Sequence, residues 1–487
     1  MINEFIFEKS GAPWQSKILL LDDEGLEQRV HYSNYFSEKG FDVIVYKDDL
    51  TFRLEDYDKL KDQAYKIAVI ARGDQFVPYD VYRRLSPYRV SLKGLFPKLN
   101  ENAILSDKGV DFDLLSEAYE HNYDDLNDYQ KTDTFLQKCV YSKDNVEQLA
   151  RKIFKTALNE AEANPGYGQW FDIAEKKARI DALACKYEFS LDTSLLNTYF
   201  KKYVLTEYGK LYLENNPNTP VLVSRAMEYM CDQSSKFAII VMDGMSEFDW
   251  DVISMSFKGM KLQRSAAMAM IPTITSISRQ SLLGNKNPVK LIHPWKQDKE
   301  KEEFVSAAKE LGFNEVQIAY LRDYGADPSS LARCVAVIIM DCDEMVHSAQ
   351  HGRKSMFYGD TELSKGKQLR ELTERLLHKG FDVYITADHG NTECIGIGKM
   401  IGSGVETETR SHRMIVLKDF ANKTAIQDKH HMFEFPGYYL PEDNSYLLCE
   451  AGESLDPPGD MVMSHGGITL DEVVVPFIKI KAVENNG

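Results

Sequence analysis

Seven short runs of this chain are apolar from end to end: "KILLLDDE" (17–24), "FDVIVYKDD" (41–49), "YKIAVIARG" (65–73), "KFAIIVMDG" (236–244), "CVAVIIMDCD" (334–343), "FDVYITADHG" (381–390) and "EVVVPFIKI" (472–480). A strand with one face in water alternates apolar and polar residues. Unbroken runs of Ile, Val, Leu and Ala therefore point to strands covered on both faces, which means parallel sheet with helices on each side. The fold class that follows is α/β, built on a doubly wound, mostly parallel sheet. Between 101 and 235 the pattern changes to long amphipathic stretches such as "SKDNVEQLARKIFKTALNEAEA" (142–163), which opens on Ser142 and Asp144 as candidate helix caps. The expected organisation is a small α/β domain at 1–100, a helical middle region at 101–215 and a larger α/β domain at 216–487. The likeliest linkers are "EANPGYGQ" (162–169) and "ENNPNTP" (214–220).

At 487 residues, 43% hydrophobic and 27% charged, the chain can bury two or three cores. No run approaches the roughly 18 to 20 apolar residues of a membrane span, and the start lacks the basic and apolar regions of a signal peptide, so a cytoplasmic protein is expected. Seven cysteines without paired spacing fit reduced packing residues rather than a disulfide frame or a thiolate zinc site. A net charge of −17 opposes non-specific binding to nucleic acid. A polyanionic substrate would need a local source of positive charge, and bound divalent metals are the obvious one.

In open α/β sheets ligands sit at the carboxyl ends of the strands. "FAIIVMDG" ends on Asp243, "VAVIIMDCDEMVH" runs into Asp343 and His347, "VYITADHG" ends on Asp388 and His389, and "VMSHGG" offers His465 before the last strand. Each has a bland reading as turn or salt link. The recurrence of three Asp and three His at strand ends carries the weight. Asp343 and His347 stand one helical turn apart, which favours Asp343 over Asp341 as the acid of that pair. Carboxylate oxygen with imidazole nitrogen suits Zn²⁺ or Mn²⁺.

The order of these pieces, Asp-Gly after a strand, "PTITSISRQSLLGNKNP" (272–288) entering a helix, "DEMVH", "ADHG" and a late His, resembles the alkaline phosphatase superfamily, and within it the PglZ-domain branch. The resemblance implies an alkaline phosphatase-like catalytic domain in which Asp243, Asp388, His389 and the Thr275 oxygen hold one metal and Asp343, His347 and His465 hold a second. Three carboxylates and a Thr275 alkoxide would balance two divalent cations, Zn²⁺ first with Mn²⁺ as the alternative. Thr275 becomes the expected nucleophile, near the N-cap of a helix whose amides point at an incoming phosphate. Arg279, one turn on, is the expected partner of the non-bridging phosphate oxygens. Thr273, Ser276, Ser278 and Ser281 are left to capping and solvation. A Thr in this place cannot become the formylglycine of sulfatases, and the roughly 70 residues between Thr275 and Asp343 leave no room for the inserted domain of cofactor-independent phosphoglycerate mutases.

The activity implied is that of a metal-dependent phosphohydrolase, a phosphodiesterase on nucleotides or oligonucleotides, in BREX-type antiphage defence or in signalling, with protein partners in a defence complex. The rival is a non-catalytic or conditionally active scaffold subunit of such a complex. "KILLLDDE" also resembles the first strand of a phosphoacceptor receiver domain, but "YKIAVIARG" ends on Arg72 and Gly73 where the acceptor Asp would stand. The first hundred residues thus read as a PglZ-type or degenerate receiver-like module. Among the remaining polar residues, His412 is a candidate for substrate contact, and Asn391 for orienting a ligand. His351, His430 and His431 are expected at the surface or behind the ligands, and the tyrosines of "GYYLPEDNSYLL" (437–448) are expected to pack in a hairpin.

Overall fold

The computed structural model describes residues 2–122, 124–348, 352–398, 411–417 and 432–481. The chain divides into two compact units, Met1–Leu149 and Ala150–Gly487.

The first unit is built on four parallel strands, β1 (Lys17–Asp22), β2 (Asp42–Val45), β3 (Ile67–Arg72) and β4 (Ser86–Val90), in the order β2-β3-β1-β4. In the receiver topology the first strand lies between the second and third. Here β3 lies between β2 and β1, so the likeness of "KILLLDDE" to a receiver strand does not extend to the strand order. Leu19, Val69 and Ala71 pack with Phe52 and Leu60 into its core.

The second unit carries a six-stranded sheet of β5 (Phe237–Met242), β6 (Gln263–Met268), β7 (Ile318–Arg322), β8 (Cys334–Ile339), β9 (Asp382–Thr386) and β16 (Val474–Ile480), in the order β6-β16-β9-β5-β8-β7. β9, β5, β8 and β7 are parallel, while β16 runs antiparallel to both its neighbours. Every residue of β5, β8 and β16 is buried, as their unbroken apolar sequences require. Two three-stranded sheets accompany it, one of β10 (Thr392–Gly396), β14 (Glu453–Ser454) and β15 (Met461–Ser464), the other of β11 (Met414–Leu417), β12 (Phe433–Phe435) and β13 (Ser445–Leu448). Helices Tyr167–Tyr187 and Ser194–Glu207 belong to this unit, and Trp170, Phe200 and Val204 join its main core. The helix over Lys143–Glu162 opens where its cap suggested, with Ser142 Oγ accepting the Asn145 N–H at 3.3 Å.

All seven cysteines are free, and Cys334, Cys342, Cys394 and Cys449 are buried. Among the described residues no helix is long and apolar enough to cross a membrane.

Candidate active site

Strand direction explains why distant residues meet. β9, β5 and β8 are neighbours running the same way, so their carboxyl ends share one edge of the sheet. Asp243 follows β5, Asp388 and His389 follow β9, and β8 runs into the helix Asp341–Ser348, which carries Asp343 and His347. β16 points the other way, so the segment before it, with His465, returns to that edge. β6 is antiparallel to β16 and therefore delivers its own carboxyl end there too, leading to the helix Thr275–Gly284. Gly244, at φ 72°, makes the turn after Asp243 in a conformation that side chains avoid, and its N–H donates to Asp388 Oδ1 at 3.2 Å.

Two groups of donors result: Asp243, Asp388 and His389, all fully buried, and Asp343, His347 and His465, which open towards solvent. In the first, His389 Nε2 lies 3.8 Å from Asp243 Oδ1 and 3.6 Å from Asp388 Oδ2, with Thr275 Oγ1 3.2 Å from the same nitrogen. In the second, Asp343 Oδ1 lies 3.4 Å from His347 Nε2 and 3.6 Å from His465 Nε2. The His389 and His465 rings stack at 4.3 Å, so the two groups adjoin.

These residues fit a pair of metal ions. The three carboxylate oxygens that face imidazoles, Asp243 Oδ1, Asp343 Oδ1 and Asp388 Oδ2, are buried and have no hydrogen-bond partner. Buried carboxylate oxygens are seldom left so. Ligands at about 2.0–2.1 Å from a tetrahedral cation stand about 3.3–3.4 Å apart, close to the spacing of these oxygens and nitrogens. The imidazoles are oriented for the same task. His389 Nδ1 donates to the Gly390 carbonyl at 3.0 Å and His465 Nδ1 to the Thr273 carbonyl at 2.9 Å, which turns each Nε2 towards the acids.

The electrostatics agree. Burial first, then the charges of Asp388 and Asp343, push Asp243 well above the usual carboxylate range, against the pull of Arg279. Burial would raise Asp343 as well, but the imidazoles of His347, 3.4 Å away, and of His465 hold it at about 2. The nearby Asp343 carboxylate raises His347, while burial and the adjacent His389 depress His465 to about 3, leaving its imidazole neutral and able to ligate at neutral pH.

Arg279 is where expectation and structure part. Its side chain is 1% exposed and engaged within the protein: Nη1 binds Asp243 Oδ2 and Nε donates to Glu300 Oε2 at 2.7 Å. Arg279, one turn after Thr275, thus meets the oxygen of Asp243 that does not face His389, the imidazole beside Thr275. The hydroxyls assigned to capping and solvation also differ. Thr273 is fully buried, with Oγ1 donating to the Gly467 carbonyl at 2.9 Å and accepting the Gly466 N–H at 3.0 Å, and so it fixes the loop that bears His465. Ser278 Oγ donates to the Asp388 carbonyl and accepts the Met270 N–H at 2.9 Å, and Ser281 is fully buried. No local pattern distinguishes these from capping residues; the carbonyls that Thr273 and Ser278 bind are 194 and 110 positions away.

Asp341 accepts from Tyr324 Oη at 2.6 Å and stands apart from both groups. Asn391 Nδ2 bridges the Gly244 carbonyl at 2.8 Å and Asp249 Oδ2 at 2.6 Å, bracing the Asp243 turn. His412 meets Asp456 Oδ1 through Nδ1 at 2.7 Å, with its ring 6.4 Å from that of His347, at the open side of the second group. Tyr438 and Tyr439 pack, their hydroxyls donating to the carbonyls of Leu205 and Tyr208 at 2.7 and 2.9 Å. His351, His430 and His431 lie outside the described residues.

Fold and site together define an alkaline phosphatase-like α/β domain. Residues 223–480, just over half of the chain, match the family described as the BREX system PglZ alkaline phosphatase-like domain, and the chain belongs to that family. Among solved structures it is similar to murine ectonucleotide pyrophosphatase/phosphodiesterase 5 in complex with AMP, at 11% identity and a TM-score of 0.36 over 51% of this chain and 88% of that one. It is also similar to phosphonoacetate hydrolase from Sinorhizobium meliloti 1021, at 13% identity and a TM-score of 0.33 over 52% of this chain and 91% of that one. No curated protein matches the chain.

Proposed function

We propose that the chain is a two-metal phosphohydrolase with Thr275 as nucleophile, acting on phosphodiesters of nucleotides or oligonucleotides. One observation carries the chemistry: three buried carboxylate oxygens without partners, each facing an imidazole nitrogen at 3.4–3.8 Å. A scaffold has no physical use for acids held in that state, which favours catalysis over a purely structural subunit.

Asp243, Asp388, His389 and Thr275 would hold one divalent cation, and Asp343, His347 and His465 the other. When bound, Zn²⁺, or Mn²⁺ as the alternative, would ease deprotonation of the Thr275 hydroxyl and neutralise charge on the attacking and leaving oxygens. The chain's own part is to present Thr275 Oγ1 at the first turn of its helix, beside His389 Nε2. Attack by Oγ1 on phosphorus breaks the bond to one alcohol, which leaves with the Thr275 proton, and forms a threonine phosphodiester that still carries the second alcohol; water hydrolyses it to a phosphomonoester and regenerates Thr275. The second group, with the His347 side chain 55% exposed, is the side open to substrate.

A diester is favoured over a monoester because Nε and Nη1 of Arg279 are engaged by Glu300 and Asp243, whose charges offset the guanidinium that the second charge of a monoester would call on. The family's BREX description supports a setting in bacterial antiphage defence; signalling is the alternative setting. The test is hydrolysis of bis-p-nitrophenyl phosphate and p-nitrophenyl phosphate by metal-loaded protein, beside Thr275→Ala. We expect two metals per chain, faster turnover of the diester and loss of turnover in Thr275→Ala with metals retained. A metal-free protein inactive with every divalent cation would sink the reading; a preference for the monoester would sink only the diester assignment.

A further inference from the structure

We propose that Arg279 is a positioning residue that selects the metal of the Asp243 group, by closing one oxygen of Asp243 and so restricting this acid to a single coordinating atom. The inference rests on the metal-bound reading of that group given above.

The helix Thr275–Gly284 presents Thr275 and Arg279 one turn apart. Thr275 Oγ1 faces His389, while Arg279 reaches round to Asp243 Oδ2. The guanidinium is itself held: Nε donates to Glu300 Oε2 at 2.7 Å, and Glu300 Oε1 accepts from Tyr320 Oη. Arg279, Glu300 and Asp243 are all at most 3% exposed, so this fork cannot swing away into water. Its charge is permanent and its planar donors fix direction as well as sign.

Asp388 is restricted in the same way by another donor, the Gly244 N–H on Oδ1. Each acid therefore keeps one partnerless oxygen, Asp243 Oδ1 and Asp388 Oδ2. With His389 Nε2 and Thr275 Oγ1 these make four donor atoms, the number that suits Zn²⁺. Larger or more oxygen-seeking ions such as Mn²⁺ and Mg²⁺ take about six ligands, and a carboxylate free to chelate with both oxygens would help to supply them. The charges of Arg279 and Glu300 cancel, so the pair leaves the net charge at the metal position unchanged. Its effect is on coordination geometry. A merely structural ion pair would change stability without changing which metal binds.

Removing Arg279 alone would leave buried Glu300 with only the more distant Arg322, 3.9 Å away, so the informative variant is Arg279→Met with Glu300→Gln, made in a His465→Ala background so that binding is read from the Asp243 group alone. The full-length protein is dialysed against equimolar Zn²⁺ and Mn²⁺, and bound metal is measured by elemental analysis, with electron paramagnetic resonance for Mn²⁺. The His465→Ala parent is expected to hold Zn²⁺. The variant should move the Zn²⁺ to Mn²⁺ ratio towards Mn²⁺ by about ten- to a hundredfold, the size of effect that outer-shell partners have on metal affinity. Arg279→Lys, which keeps a cation against Asp243, should keep the parent's preference. Metal bound in the parent with an unchanged ratio in the double variant would overturn this inference and leave the proposed function standing. No metal in wild-type protein would overturn both.

Discussion

The two units of this chain each end a central parallel strand on acids, and the fate of those acids differs. In the first unit β1 ends on Asp22, whose Oδ1 accepts the Leu26 N–H at 2.8 Å and whose Oδ2 accepts the Glu27 N–H at 2.7 Å and the Tyr32 hydroxyl at 3.1 Å. Asp23 pairs with Arg89, and Glu24 accepts the Leu92 N–H at 3.0 Å. Every acid of "LDDE" is thus engaged, Asp22 with its own loop and Asp23 and Glu24 with the segment around Arg89–Leu92. In the second unit Asp243 and Asp388 each give one oxygen to the protein and keep the other buried and unpartnered, aimed at His389. An acid at the carboxyl end of a strand is common to both. The lone oxygen facing an imidazole belongs only to the second, and it is the feature that calls for a cation.

The sharpest way to break this comparison is to neutralise one acid of each kind. Asp388→Asn should drop bound metal from two to one per chain and slow diester hydrolysis on the order of a thousandfold, as when one member of a catalytic unit is lost. Asp22→Asn should leave metal content and rate unchanged and lower stability by about 1–3 kcal/mol through weakened charge-assisted hydrogen bonds. Elemental analysis, a steady-state assay and urea unfolding of the full chain decide it. If Asp22→Asn loses metal or Asp388→Asn keeps both, the two sets of acids are not what they are taken to be.

Much of the second unit is legible because its chemistry lies on its apolar runs. Unbroken stretches such as "FAIIVM" and "CVAVII" form strands where they should, and each hands its Asp to the same edge. The reversed direction of β16 is not legible, since an apolar strand reads alike in either sense, yet that direction is what brings His465 home. The roles of Arg279, Thr273 and Ser278 were hidden for a related reason. Each depends on a partner 36 to 199 positions away, and local spacing gives only the face on which a side chain stands, not what meets it. The acids of "LDDE" misdirect because no residue pattern announces their partners: Asp22 takes the local amides of Leu26 and Glu27, while Asp23 and Glu24 meet Arg89 and the Leu92 N–H, 66 and 68 positions away.

A milder test sharpens the comparison at the level of support. Thr273→Val keeps the carbonyl that receives His465 Nδ1 but removes the hydroxyl joining Gly466 and Gly467. We expect about a tenfold loss of affinity at the Asp343 group, within the usual range for outer-shell partners, with activity recovered at higher metal concentration. Tyr32→Phe removes an equally buried hydroxyl, this one on Asp22, and should cost about 1 kcal/mol of stability with metal affinity unchanged. Equal metal titration curves for wild type and Thr273→Val would show that the Thr273 hydroxyl supports the fold alone.

The smallest effect is expected from pH, measured on the full chain after the metals are stripped. His465 is held down to about 3, chiefly by burial and then by His389, whereas an unfolded histidine titrates near 6.5. The unfolded chain therefore takes up a proton that the folded one refuses, and stability falls as pH drops from about 6.5 towards 3, by at most about 1.4 kcal/mol per pH unit. Asp343, held at about 2, adds a further loss below the usual carboxylate range near 4, again on the acid side. His347 works the other way: its folded pKa is raised by the nearby Asp343 carboxylate, so its contribution is present in acid and lost as pH rises, which blunts the slope. His465→Asn should flatten the fall in thermal midpoint between pH 6.5 and 4, while Asp22→Asn should lower the midpoint without changing that slope. Superimposed pH profiles for wild type and His465→Asn would mean that this imidazole is not the proton-refusing group of the second unit.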